Sequence, residues 1–245
     1  MPSGLCWTRR GLIVYTSTSG RNEGKVNRKI LGRRYFGLAG LLAIGFTAAF
    51  GTAMTAAPSA AQAAATLPPV SELMADRVMG DPKAPVTILD YSSMTCPHCA
   101  HFHTDILPKI KEAYIDTGKA KLIFRDFPFD QAALSASMLA HCAPSERYYP
   151  LTDVLFKSQS TWSRAADPAK ALAQYGKLAG MSQETIDACL ANKELADAIL
   201  NSRLTGQNQY KVEATPTFIL NDGKARIEGA QSFEEFSKAI DKLLK

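Results

Sequence analysis

The chain has 245 residues, with 46% hydrophobic and 21% charged content, the balance of an ordinary globular protein with room for one or two domains. Its net charge of +5 is unevenly spread: residues 1–63 carry eight Lys/Arg and one Glu, which leaves 20 basic and 22 acidic residues in the remainder. With no later Lys/Arg patch interleaved with aromatics, that distribution excludes nucleic acid as a partner.

The basic N-terminal segment has the pattern of an export signal. Lys29, Arg33 and Arg34 precede an apolar run from Tyr35 to Phe50, and small residues lead to Ala61-Gln62-Ala63, a cleavage pattern. The run is short and weak for a membrane span, which needs about 20 apolar residues. An uncleaved membrane anchor is therefore the less favoured reading. Arg33-Arg34-Tyr35-Phe36 fits a twin-arginine signal or an ordinary secretory n-region with adjacent arginines. The long stretch before it suggests that Val26 is the true start, in which case Cys6 is not translated. Residues 1–63 thus read as the signal, and the exported chain starts near Ala64.

Residues 64–80, with Pro68-Pro69 and little periodicity, read as a linker to a domain over 81–245. Pro85 to Tyr91 is a β-rich run and predicts a strand, followed by a turn over Ser92–Thr95. Pro97 is suited to the first position of a helix, whose apolar stripe is Phe102, Ile106 and Ile110. Pro108 should kink that helix. Lys121–Arg125 predicts a second strand. Residues from about 131 to 204 have helical spacing and no convincing strand. Thr217–Leu220, a turn at Asn221-Asp222-Gly223, and Ala225–Glu228 predict a β-hairpin. Phe233, Phe236, Ile240 and Leu243 then mark a closing amphipathic helix over Ser232–Leu244. The order predicts an α/β fold with a helical insertion.

Leaving out Cys6, four cysteines remain: Cys96, Cys99, Cys142 and Cys189. An even number in an exported chain suggests two pairs. Cys96-Pro97-His98-Cys99 has several readings. A structural zinc site needs a second ligand pair at suitable spacing, and His98, His101 and His103 lie too close along one helix to complete a tetrahedron with the cysteines. Haem attachment needs His after the second Cys, where Ala100 stands. A redox dithiol between a strand and a helix start fits best. Free N–H groups and the helix dipole favour a thiolate at Cys96, and His98 can add charge or a hydrogen bond. Stabilising the thiolate stabilises the reduced form and makes the disulfide a strong oxidant.

The segment Asp90-Tyr91-Ser92-Ser93-Met94-Thr95-Cys96-Pro97-His98-Cys99 resembles the active-site segment of DsbA-like thiol-disulfide oxidoreductases of the thioredoxin superfamily. Phe124-Arg125-Asp126-Phe127-Pro128 and Glu213-Ala214-Thr215-Pro216-Thr217-Phe218 resemble family segments as well, so that the likeness runs from about Gly80 to Lys245. It implies a thioredoxin-like fold with an inserted helical domain. It also implies that Thr215-Pro216 is the cis-proline loop facing the redox pair, where it offers backbone hydrogen bonds to a substrate chain; a trans proline opening the strand is the plain alternative. Asp90 falls at the family's buried acid, which relays a proton for the second cysteine, although the family often carries the longer Glu there. Thr215 stands where the best-known oxidases have Val.

The expected activity is introduction of disulfides into reduced, unfolded client proteins, in the periplasm or otherwise outside the cytoplasm, by a monomer that a membrane partner reoxidises. No cofactor or metal is implied. The rivals are a reductase or isomerase on the same fold, and a non-catalytic exported chaperone or metal-binding module. Cys142 and Cys189, in the helical block, are expected to form a structural disulfide. His141 is expected on a helix surface, and Trp162, Tyr148 and Tyr149 in the packing.

Overall fold

The computed structural model describes residues 66–245. The export segment, the Ala61-Gln62-Ala63 pattern, the Val26 start, Cys6 and the first residues of the expected linker lie outside the described residues.

Five strands form one mixed sheet in the order β1-β3-β2-β4-β5. Its centre is β2 (Val86–Ser92), paired parallel to β3 (Ala120–Asp126) and antiparallel to β4 (Thr217–Leu220). Parallel pairing needs a crossover, and the helical run Pro97–Ile115 supplies it. β4 continues through a tight turn at Asn221–Gly223 into β5 (Ala225–Glu228), in register from Thr217↔Glu228 to Leu220↔Ala225. Gly223 takes φ +96° there, in the left-handed region where a side chain would be strained. Asn221 also fastens this turn to the start of β2, accepting from the Thr87 N–H at 2.7 Å.

The expected linker is partly structured. It contains a helical turn, α1 (Val70–Leu73), and a two-residue strand, β1 (Val78–Met79), antiparallel to β3. A strand of two residues is too short for an alternation to show. Its place is held from elsewhere: Asp76 forms a two-pronged pair with Arg125, and the Tyr149 hydroxyl donates to the Arg77 carbonyl.

The crossover helix is not uniform. Short α segments, α2 (Pro97–His101) and α3 (Leu107–Ile110), alternate with π-helical turns at Phe102–Ile106 and Lys111–Ile115. Pro108 lies in the short α segment just after the first π turn, where its missing N–H is accommodated. Phe102 and Ile110 are fully buried against Phe218 of β4 and Phe236 of the last helix, α10 (Phe233–Leu243).

Between β3 and β4 the chain forms the helical insertion, from α4 (Gln131–Cys142) through α5 (Tyr148–Lys157), α6 (Gln159–Ser163), α7 (Pro168–Leu178) and α8 (Gln183–Leu190) to α9 (Lys193–Tyr210). The block therefore reaches Tyr210, past the expected end near 204. Its own core holds the fully buried Trp162, Leu139, Leu155 and Ile186. Gly206 of α9 lies flat against Tyr91 of β2, where a Cβ would come within 2.5 Å of the ring. One expectation is corrected here. His141 is not on a helix surface but buried, with Nε2 2.7 Å from Asp126 and Nδ1 2.8 Å from the Leu73 carbonyl. A spacing argument places a side chain on a helix face, and α4 is buried on nearly all of its faces by the other helices and α1.

Candidate active site

The Cys96-Pro97-His98-Cys99 segment sits where β2 ends and α2 begins. Cys96 is the N-cap of α2, with extended backbone (φ −77°, ψ 120°), and Pro97 is the first helical residue. The extended N-cap turns the Cys96 side chain towards the first N–H groups of the helix, which have no intrahelical partner. Cys96 is half-buried and Cys99, one turn on, is fully buried. Both are free thiols in this structure.

The two sulfurs are driven apart in acidity. The Cys96 thiol is held down to about 5, first by a hydrogen bond from the Cys99 side chain, against the opposing effect of burial, then by Thr215 and by the backbone N–H groups of Cys99 and His98. Burial pushes Cys99 far above the usual thiol range, and the adjacent Cys96 sulfur adds to the effect. Cys96 is accordingly a thiolate at neutral pH and Cys99 a thiol. The His98 side chain is exposed; what reaches Cys96 from this residue is its backbone N–H.

Thr215 and Pro216 lie against the pair. Their peptide bond is cis, and the Thr215 carbonyl lies 3.5 Å from the Cys96 sulfur, which donates to it when protonated. Asp90 is fully buried in the middle of the sheet. Its two oxygens are both engaged: Oδ1 accepts from the Ser92 hydroxyl at 2.5 Å, and Oδ2 lies 2.8 Å from His103 Nε2. The structure thus brings Asp90, Cys96, Cys99, Thr215 and Pro216 to one end of the sheet. Cys142 and Cys189 lie away from it, joining α4 to α8 in a disulfide with Cα atoms 6.2 Å apart. Among the described residues no group of three or more His, Cys, Asp and Glu side chains converges as a metal ion requires.

Several residues at the site escaped the sequence reading. Gln159, buried in α6, donates from Nε2 to the carbonyls of Met94 and Cys96, both at 2.9 Å, and so holds the turn that presents Cys96. Asp130 caps α4 by accepting from the Ala133 N–H, and it also accepts from the Thr95 hydroxyl. His103 and Ser92 complete the surroundings of Asp90. Nothing local marks Gln159, which lies 63 residues from Cys96. Asp130 before an Ala/Leu run carries an N-cap signal, but not its contact with Thr95.

Comparison with known proteins agrees with this geometry. The family model described as Thioredoxin matches residues 72–242. A solved structure, alpha-DsbA1 of Wolbachia pipientis, superposes with a TM-score of 0.64 at 36% identity, over 73% of this chain and 93% of that one. This chain is a DsbA-like member of the thioredoxin superfamily. The DsbA-like protein is also 31% identical over 170 residues to a Rickettsia bellii relative named as a protein-disulfide oxidoreductase, covering 69% of this chain and 64% of the relative. Disulfide bond formation protein D of Bacillus subtilis is 27% identical, over 69% of this chain and 77% of that protein. The chain spans less than two thirds of the length of the Rickettsia relative. The thioredoxin-like fold with an inserted helical domain is thus the observed one, with the insertion between β3 and β4. Among the described residues no helix is long and apolar enough to cross a membrane.

Proposed function

We propose that this DsbA-like protein is an exported thiol-disulfide oxidoreductase that acts as an oxidase, transferring the Cys96–Cys99 disulfide to reduced, unfolded client proteins. The observation that carries this reading is the acidity of Cys96, held down to about 5 chiefly by hydrogen bonding from Cys99. A thiolate stabilised to that degree favours the reduced pair, so the disulfide gives up its oxidising equivalents readily.

The reaction then follows from the site. A client thiolate attacks Cys96, the more exposed sulfur. The Cys96–Cys99 bond breaks, and its electron pair leaves on Cys99. A second client thiolate attacks the client sulfur of the mixed disulfide, and Cys96 departs as a stable thiolate. Thr215 and Pro216, beside Cys96, supply backbone for the client chain to pair with. His98, exposed next to the pair, favours the thiolate by its charge when protonated. Asp90 relays the proton that Cys99 takes up on reduction and loses on reoxidation. A membrane partner reoxidises the pair. The support for export is the basic and apolar sequence of residues 29–63.

The deciding measurement is the Cys96–Cys99 reduction potential in a glutathione buffer. An oxidase requires a value more positive than the roughly −180 mV of protein disulfide isomerase; a value near the roughly −270 mV of thioredoxin makes the protein a reductase instead.

A further inference from the structure

The crossover helix and α5 do not close completely on one another. Between them lies a surface cleft of about 440 Å³, to which Met79 of β1 also contributes. That volume falls within the range of small-molecule sites, about 300–1,000 Å³. Neither cysteine of the redox pair lines it, nor does the Thr215-Pro216 loop.

The walls are mostly apolar: Met79, Leu107, Pro108 and Pro150, with the ring of Tyr149. The polar side chains among them are already engaged. The Tyr149 hydroxyl donates to the Arg77 carbonyl at 2.6 Å, and the Thr152 hydroxyl donates to the Tyr148 carbonyl at 2.8 Å. At the rim, Lys157 is paired with Asp153 at 2.7 Å, and Lys111 is paired with Asp116 at 2.6 Å.

His103 is the exception. Its ring is only 4% exposed and forms part of the wall. Nε2 lies 2.8 Å from Asp90 Oδ2, while Nδ1 has no hydrogen-bond partner among the described residues. The ring is not free to turn away. It lies flat on Phe156 of α5, with centroids 4.1 Å apart, and edge-on to Phe102 and Phe124. A buried ring nitrogen without a partner is unfavourable, and a ligand group that meets it recovers the loss.

We infer that this cleft is a binding site for a small uncharged molecule with an apolar body and one hydroxyl, the hydroxyl meeting His103 Nδ1. Each property of the ligand follows from a property of the wall. The body is apolar because the residues that would surround it are. The molecule is uncharged because each rim lysine already faces a carboxylate, which leaves no unmatched charge to attract an ion. One polar group suffices because His103 is the one wall side chain with an unused ring nitrogen. A hydroxyl suits that nitrogen in either tautomer, since it both donates and accepts. The cleft has about three times the volume of a cavity of about 150 Å³ that holds benzene, so a ring with a short chain fits. The site stands apart from disulfide exchange and does not depend on the oxidase reading.

The test uses 4-ethylphenol as the probe and ethylbenzene as the control, which has the same body and no hydroxyl. Each is titrated into the full chain, labelled at the methionine and leucine methyls and the histidine rings, and followed by NMR. The expected result is a saturable shift at Met79, Leu107 and His103 with 4-ethylphenol, with intermolecular NOEs from its ethyl group to the Met79 and Leu107 methyls. Ethylbenzene should bind about tenfold more weakly, the loss of one hydrogen bond to a buried partner. Met79→Trp, which fills the cleft from a half-buried position, should abolish both. No saturable shift at these three residues up to the solubility of the phenol overturns the proposal. Equal affinity for the two probes overturns it as well, because His103 then reads nothing. NOEs confined to Leu151 and Val154, in the separate pocket between α5 and α7, overturn it too. The NOEs are read in the wild-type protein, so the test stands even if Met79→Trp does not fold.

Discussion

Two cysteine pairs occupy the same chain under opposite conditions. Cys96 and Cys99 are three residues apart at a helix start, with one sulfur half-exposed and acidic and the other buried and strongly protonated. Cys142 and Cys189 are 47 residues apart on two packed helices, and both are buried in the core of the insertion. The first pair is surrounded by groups that favour one charged sulfur: backbone N–H groups, the other cysteine and Thr215. The second is joined sulfur to sulfur, with the Met138 carbonyl 3.1 Å from Cys189 and no such set of groups beside it. Thiol chemistry at these sites is therefore set by what the fold places next to the sulfur, and the residue type alone decides little.

The largest expected effect breaks the second pair. Cys142→Ala/Cys189→Ala releases a 47-residue loop in the unfolded chain and should cost about 4 kcal/mol, read as a lower thermal midpoint. The Cys96 titration, followed by thiolate absorbance near 240 nm, should keep its midpoint near 5 in this variant, because that acidity arises from neighbours within a few ångströms. A midpoint returning to about 8.5 would show that the two pairs are not independent.

Gln159→Leu should be next. It strips the Met94 and Cys96 carbonyls of their donor at a buried turn, at about 1–3 kcal/mol, and it should also slow disulfide exchange, since the turn presents Cys96. Urea unfolding and peptide oxidation measured on the same sample separate the two. A loss of stability with no change in exchange rate would make Gln159 purely structural.

A second contrast lies inside the sheet, where two buried Asp–His pairs sit on neighbouring strands. Asp90–His103 faces the redox pair and a cleft, whereas Asp126–His141 ties α4 to the carbonyl of Leu73. Burial pushes the His141 pKa down, but the Asp126 charge and hydrogen bond and the Leu73 carbonyl more than offset it, so that it is raised. A histidine raised in the folded state binds a proton more tightly there than in the unfolded chain. Its stabilising contribution is complete below about pH 6.5 and is lost as pH climbs through the folded value. The difference in urea stability between wild type and His141→Gln should therefore be largest in acid and shrink above neutrality, by no more than about 1.4 kcal/mol per pH unit. A difference that grows with pH would mean that His141 is buried neutral.

The smallest expected effect is at His98. An exposed charge pair contributes about 0.5 kcal/mol at most sites, so His98→Ala should lower the reduction potential by on the order of 10 mV. An unchanged or higher potential would leave only the His98 backbone N–H in the account.

What the sequence determined by itself was everything that depends on near neighbours in the chain. β-Rich runs and turn residues marked β2, β3 and the β4–β5 hairpin, and a stripe at helical spacing marked the last helix. Cys96-Pro97-His98-Cys99 between a strand and a helix start marked the candidate redox pair, because the N-cap position and the neighbouring cysteine are both local features. Three matters were decided by tertiary structure alone. β1 exists because β3 offers it an edge, and no two-residue strand leaves a pattern. His141 is buried because α1 and the other helices close over α4, which a helical repeat cannot report. Gln159 bonds to carbonyls 65 and 63 positions away and His103 to a carboxylate 13 away, and the energies that place them arise only when such distant groups are brought together out of water.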